Sequence, residues 1–191
     1  CRHSLLRKAE EHPRPLQPDV SEELLGHAIH HFRPGGPAQS VLHTGTGPMS
    51  MAQLAQLRSE RSGAPLDLIV LSACRTLLGD QESELGFAGL ALQAGARSAV
   101  GTLWYVDDVV TPAFFVQFYR LLDQGLPKAA ALQRTRQLFA SGAIRLEGDV
   151  VLGADETPLL TGLTPAQRRR MAGGGQNPYF WAGIELIGSP W

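Results

Sequence analysis

The sequence predicts an α/β fold with a mostly parallel sheet, and three observations carry that expectation. Short apolar runs of strand length alternate with longer stretches of helical periodicity, in the order β, α, β, α, β, α, α. The run Leu66 to Leu71 (LDLIVL) is apolar at all but one position, as a strand covered on both faces should be. The chain has 191 residues, 43% of them hydrophobic, enough for one ordinary domain with a buried core.

Taken in order, Ser4 to Glu11 has the composition of a short helix, and the prolines Pro13, Pro15 and Pro18 end it. Residues 1–21 are therefore read as a helix and Pro-rich linker left from a preceding region, and 22–191 as the main domain. Leu24 to Ile29 has strand length. It runs into His27, His30 and His31, and then into the loop Arg33-Pro34-Gly35-Gly36-Pro37. After a loop at Thr44 to Pro48, Ser50 is placed to cap a helix with apolar Met51, Leu54 and Leu57. LDLIVL follows and stops at Ser72-Ala73-Cys74. A Gly-bounded helix through Phe87, Leu90, Ala91 and Ala94 leads to a second apolar strand, Ser98 to Leu103. Amphipathic helices are predicted from about Asp108 to Asp123 and from Pro127 to Phe139, the latter with Pro in its first turn. Residues 140–176 read as a mobile Gly-rich insertion holding one helix, Thr164 to Met171, with Thr164 as its cap. Ile184 to Ile187 reads as a last strand docking on the sheet.

Composition excludes several classes. Seventeen basic against 18 acidic residues leave a formal charge of -1, so no field of one sign marks a nucleic-acid partner. The greasiest segment, Val109 to Val116, is too short to span a bilayer and is broken by Thr111 and Pro112. Cys1 and Cys74 are too few for a disulfide framework or a zinc cage, which points to a reducing, cytoplasmic setting; separately, no metal or organic cofactor is expected. A first residue that is Cys1 rather than Met is expected to mark a fragment. The basic residues include only Lys8 and Lys128 as lysines, a bias expected of a GC-rich bacterial gene.

Reactive groups of an open parallel sheet belong at the carboxyl ends of its strands. His27, His30 and His31 follow the first strand, and Cys74 follows LDLIVL. A thiol attacks as thiolate, and a neighbouring imidazole can take its proton and later pass it to a leaving group. The same Cys after a buried strand is also compatible with an inert core thiol.

The ordered block Leu68-Ile69-Val70-Leu71-Ser72-Ala73-Cys74-Arg75-Thr76, Gly79-Asp80, Leu85-Gly86, Leu90, Ala94-Gly95-Ala96-Arg97-Ser98 and Gly101-Thr102-Leu103-Trp104-Tyr105-Val106-Asp107-Asp108 closely resembles the CHAT domain. This is a caspase-like peptidase domain often joined to tetratricopeptide repeats. The likeness continues through Phe118-Tyr119 and Ala129 to Leu132. It closes at Asn177-Pro178-Tyr179-Phe180-Trp181-Ala182 and Leu186-Ile187-Gly188.

The resemblance implies a caspase-like three-layer α/β/α sandwich and a cysteine endopeptidase. Cys74 takes the place of the nucleophile, and the backbone N–H groups of Cys74 and Phe32 that of the oxyanion hole. His27-Ala28-Ile29-His30-His31 puts His31 in the catalytic place, with His27 and then His30 as the alternatives. Phe32 stands where the family commonly has Gly, Arg75 where it commonly has Glu, and the His31 to Ser40 interval is shorter than the family's. Asp80, Asp107 and Asp108 are placed to line a substrate pocket. Asp107 and Asp108 are equally suited to capping the following helix, and Trp104 to a pocket wall or a structural contact. A protein substrate and a repeat or sensor module in the same full-length chain are the implied partners. A catalytically inactive interaction module is the alternative function.

Overall fold

The computed structural model describes residues 24–26, 29–31, 41–44, 47–50, 53, 56, 66–72, 86–104, 107, 109–172 and 175–191. It is a mixed α/β structure. Four strands form one sheet in the order β1 (Leu24–Gly26), β5 (Ile69–Leu71), β6 (Ser98–Thr102) and β10 (Ile184–Gly188). The pairings β1/β5 and β5/β6 are parallel, whereas β10 lies antiparallel to β6. The helix on this side of the crossover, α1 (Gly86–Gln93), lies between β5 and β6 in the chain, as a parallel connection requires.

Strand alternation explains why LDLIVL is apolar throughout. Leu68 and Val70 pack with Val100 of β6 and with Phe114, Phe118 and Phe139 of the helices α2 (Val110–Asp123) and α3 (Lys128–Ala140). Ile69 and Leu71 pack with Ala99, and with Ala88 and Ala91 of α1. Successive residues thus serve two separate cores, one on each face of the sheet. Ala88 and Ala91 are both fully buried; small side chains let α1 lie close to the strands.

Local signals set the helix ends. After α1 and α2, Gly95 (φ +94) and Gly125 (φ +85) take the left-handed conformation. Leu126 then donates to Leu121 and Gly125 to Leu122, and Ala96 donates to Ala91 and Gly95 to Leu92. Both ends therefore close with the paired hydrogen bonds of a Schellman motif. Pro112 sits in the first turn of α2, where no intrahelical donor is lost. The first residue of α3, Lys128, is only 3% exposed. Its ammonium lies 2.8 Å from Asp67 Oδ2, tying α3 to the amino end of β5.

Two expectations are corrected. Leu24 to Ile29 does not form one strand: β1 stops at Gly26, and Ile29–His31 forms β2 in a second sheet. There β2 pairs antiparallel with β3 (Val41–Thr44), which pairs with β4 (Gly47–Ser50). The loop expected at Thr44 to Pro48 is partly strand: Thr44 ends β3, Gly47 and Pro48 begin β4, and Thr44 lies opposite Gly47. Ser50 then caps as expected: its Oγ accepts from Gln53 N–H at 3.1 Å while Gln53 Oε1 accepts from Ser50 N–H at 2.8 Å, a reciprocal capping box. The expected helix at Ser4 to Glu11 and the loop Arg33 to Pro37 lie outside the described residues.

The segment 140–176 is also more regular than its composition suggests. Three short strands, β7 (Arg145–Glu147), β8 (Val150–Leu152) and β9 (Pro158–Leu160), form an antiparallel sheet. Gly148 (φ +60) opens the two-residue connection between β7 and β8, the position at which a type II′ turn requires glycine. Val151 and Leu159 enter the α2/α3 core, and Arg120 of α2 donates to Thr157 and to the Pro158 carbonyl. Hydrogen bonds from the side chain and backbone of Thr157 hold the Asp155 carboxyl below its ordinary range. The last helix, α4 (Pro165–Ala172), begins after Thr164 as expected, where Thr164 and Gln167 form a second capping box.

Candidate active site

Because β1, β5 and β6 run parallel, their carboxyl ends share one edge of the sheet. Gly26 and Leu71 are register partners, so the chain leaves β1 and β5 side by side. The next residue after Gly26 is His27, and the third after Leu71 is Cys74. The antiparallel β10 starts at this same edge, with Ile184 opposite Thr102, so the preceding turn Pro178–Phe180 is delivered there too. In an open sheet such an edge is where ligands and reactive groups collect.

Of the sequence-derived site residues, Cys74, His27, Phe32, Asp80 and Asp108 lie outside the described residues. The backbone of His31 falls in β2, opposite Val41, and that of His30 opposite Leu42. Both histidines thus sit in the small antiparallel sheet, which follows β1 directly in the chain.

Asp107 is resolved in detail. Its side chain is 8% exposed. Oδ1 accepts from the Val109 and Val110 N–H groups at 2.8 and 2.9 Å, satisfying donors that the first turn of α2 would otherwise leave open. Oδ2 faces Arg170 of α4 at 3.6 Å. Of the two roles the sequence allows, helix capping is the one these hydrogen bonds show. Replacement with alanine removes the cap and lowers stability by about 1 kcal/mol, whereas asparagine keeps an acceptor and restores most of it. Urea denaturation of Asp107→Ala and Asp107→Asn checks this. The exposed contact to Arg170 adds little.

Trp104 lies two residues beyond β6. Its indole N–H donates to the Tyr179 carbonyl at 2.7 Å. Its ring stacks on Tyr179, with centroids 6.0 Å apart and planes at 18°. Glycine is required at position 183 because a Cβ there would lie 2.6 Å from the indole. Sequence reading identified Trp104 and the Asn177-Pro178-Tyr179-Phe180-Trp181 segment separately. It missed their contact and the Arg170–Asp107 pair, since both join positions far apart in the chain.

Among the described residues no group of His, Cys, Asp or Glu is placed to hold a metal ion, and no helix is long and apolar enough to cross a membrane. The chain thus combines parallel β1, β5 and β6 with an antiparallel last strand, and Ser72-Ala73-Cys74 follow β5 in the sequence. The sequence model of the CHAT domain matches residues 24–189, and the chain belongs to the CHAT family. A search of curated proteins finds no match.

Proposed function

We propose that this CHAT domain is a cysteine endopeptidase with Cys74 as nucleophile and His31 as general base. The reading is supported by the family match together with the parallel pairing of β5, which Cys74 follows three residues on in the chain, with β1, which leads to the histidines. The proposed fold is the caspase-like three-layer α/β/α sandwich around a mostly parallel sheet. The separate cores on the two faces of the four-stranded sheet support it.

In the proposed mechanism His31 takes the thiol proton, and the thiolate adds to the scissile carbonyl carbon. The backbone N–H groups of Cys74 and Phe32 stabilise the resulting oxyanion. Collapse breaks the C–N bond as the imidazolium protonates the leaving amine, leaving a thioester. Water then attacks the thioester with His31 again as base and releases the acid and the thiol. Asp80 and Asp108 line the substrate pocket, and Asp107 shapes it by holding the first turn of α2. The substrate is a protein, and a repeat or sensor module in the full-length cytoplasmic protein delivers it.

The second reading is an inactive interaction module, favoured by Phe32 in a place commonly held by Gly and by the shortened His31 to Ser40 interval. Alkylation of Cys74 by a small neutral thiol reagent between about pH 5 and 9 separates the two. A working dyad reacts quickly below the ordinary thiol range, and His31→Ala slows Cys74 about 10-fold or more at neutral pH while His27→Ala does not. The reverse pattern assigns the base to His27. A rate that none of the histidine variants changes supports the inactive module.

A further inference from the structure

We propose that the Trp104–Tyr179 ring pair is a specificity platform that receives a large apolar or aromatic side chain of the substrate; this rests on the peptidase reading. Both residues lie at the sheet edge where β5 ends three residues before Cys74, Trp104 after β6 and Tyr179 in the turn before β10. The pair is rigid. Gly183 backs the indole, the indole N–H is satisfied by the Tyr179 carbonyl, and Tyr179 N–H donates to Asn177 Oδ1 at 3.0 Å. Phe180 packs edge-on against the Tyr179 ring at 5.9 Å. Despite being fixed so thoroughly, Tyr179 is 58% exposed. An aromatic surface already ordered in the unbound protein binds an apolar group with little further entropy cost. Among the described residues the other exposed large hydrophobic one, Trp191, lies beyond the opposite end of β10, where Gly188 pairs with Ser98.

Electrostatics select the class of side chain. The Asp107 carboxylate, three residues beyond Trp104, is committed to two amide N–H groups and faces Arg170. It is therefore not available to a lysine or arginine of the substrate, and α4 adds Arg168 and Arg169 nearby in the chain. The indole offers no unsatisfied donor. What remains is a nonpolar ring surface, suited to Phe, Tyr, Leu or Met.

The test is a positional-scanning library of fluorogenic peptides cleaved by the full chain, with Cys74→Ala as the blank. Wild type is expected to prefer large apolar residues at one substrate position. Tyr179→Ala flattens that preference about 10-fold while leaving the other positions unchanged, and Tyr179→Phe keeps it because the ring, not the hydroxyl, makes the contact. Tyr179→Arg shifts the same position toward Asp and Glu. Cleavage that depends on Cys74 but has the same profile in Tyr179→Ala and Tyr179→Arg overturns the platform and leaves the peptidase reading standing, as does a wild-type preference for Lys or Arg at every selective position. A library cleaved no faster than by Cys74→Ala overturns both.

Discussion

Replacing Cys74 with alanine is expected to reduce peptide hydrolysis to the uncatalysed background, a loss of at least about 10³-fold in kcat/KM. The size follows from what the thiolate supplies. Without it no thioester forms, and the single difficult attack of water on an amide returns; an oxyanion hole and a histidine base alone recover only part of the barrier. The only other thiol in the chain, Cys1, is not part of the motif at the end of β5. The variant is expected to melt with the wild-type cooperativity, so the loss is chemical. A Cys74→Ala protein that retains a tenth of the wild-type rate would place the activity elsewhere.

The largest stability effect is expected at Phe114. This residue is fully buried on α2, with its ring against Phe139 of α3 at 5.5 Å and edge-on to Phe115 at 5.9 Å. It belongs to the core that joins Val70 and Val100 of the sheet to both helices and to Val151 of the β7–β9 sheet. Truncation to alanine removes a large transfer term and leaves a cavity among residues that are held from several sides, so the cost is about 3–5 kcal/mol. Since domains of this kind are stable by only about 5–15 kcal/mol, the variant is expected to lose at least about a fifth of its stability. Phe114→Leu fills most of the space and costs less. The urea midpoints of the three proteins, with unchanged slopes, measure both effects.

Those two residues also mark what can be read from the chain and what cannot. Helices α2 and α3 are long enough for their apolar periodicity to stand out, and the run LDLIVL announces a strand buried on both faces because both of its faces meet a core. The small sheets were harder to see. β2, β7, β8 and β9 are three residues each, too short for alternation to register, and the continuity of Leu24 to Ile29 conceals a change of sheet after Gly26. The Gly148-Asp149 pair was a usable hairpin signal inside an otherwise glycine-rich stretch, and Glu147 and Val150 on either side of it are the register partners that close the turn. At the candidate site, Cys74 was legible through its motif. Asp107 was legible as either an acidic wall or a helix cap, and the positions of the Val109 and Val110 amides show the cap. The stack of Trp104 on Tyr179 is a tertiary contact between segments on either side of three helices and the β7–β9 sheet, and no local pattern encodes it.

The chemistry also explains why the fold places its order where it does. β6 and β10 bring Trp104 and Tyr179 to the edge beyond which Cys74 follows β5, and the Asp107 cap fixes the turn between them and α2. In the proposed peptidase, substrate selection and nucleophile would both be hung from strands of a single sheet, the rigid support a site of this kind needs.

The central claim, that Cys74 is an activated nucleophile, is tested most directly by the intact mass of the protein after reaction with a thiol-reactive peptide probe at neutral pH. One adduct is expected, mapped to Cys74, formed in wild type, strongly slowed in His31→Ala and absent in Cys74→Ala. Equal labelling of Cys1 and Cys74, at a rate unaffected by His31→Ala, His27→Ala or His30→Ala, would contradict it.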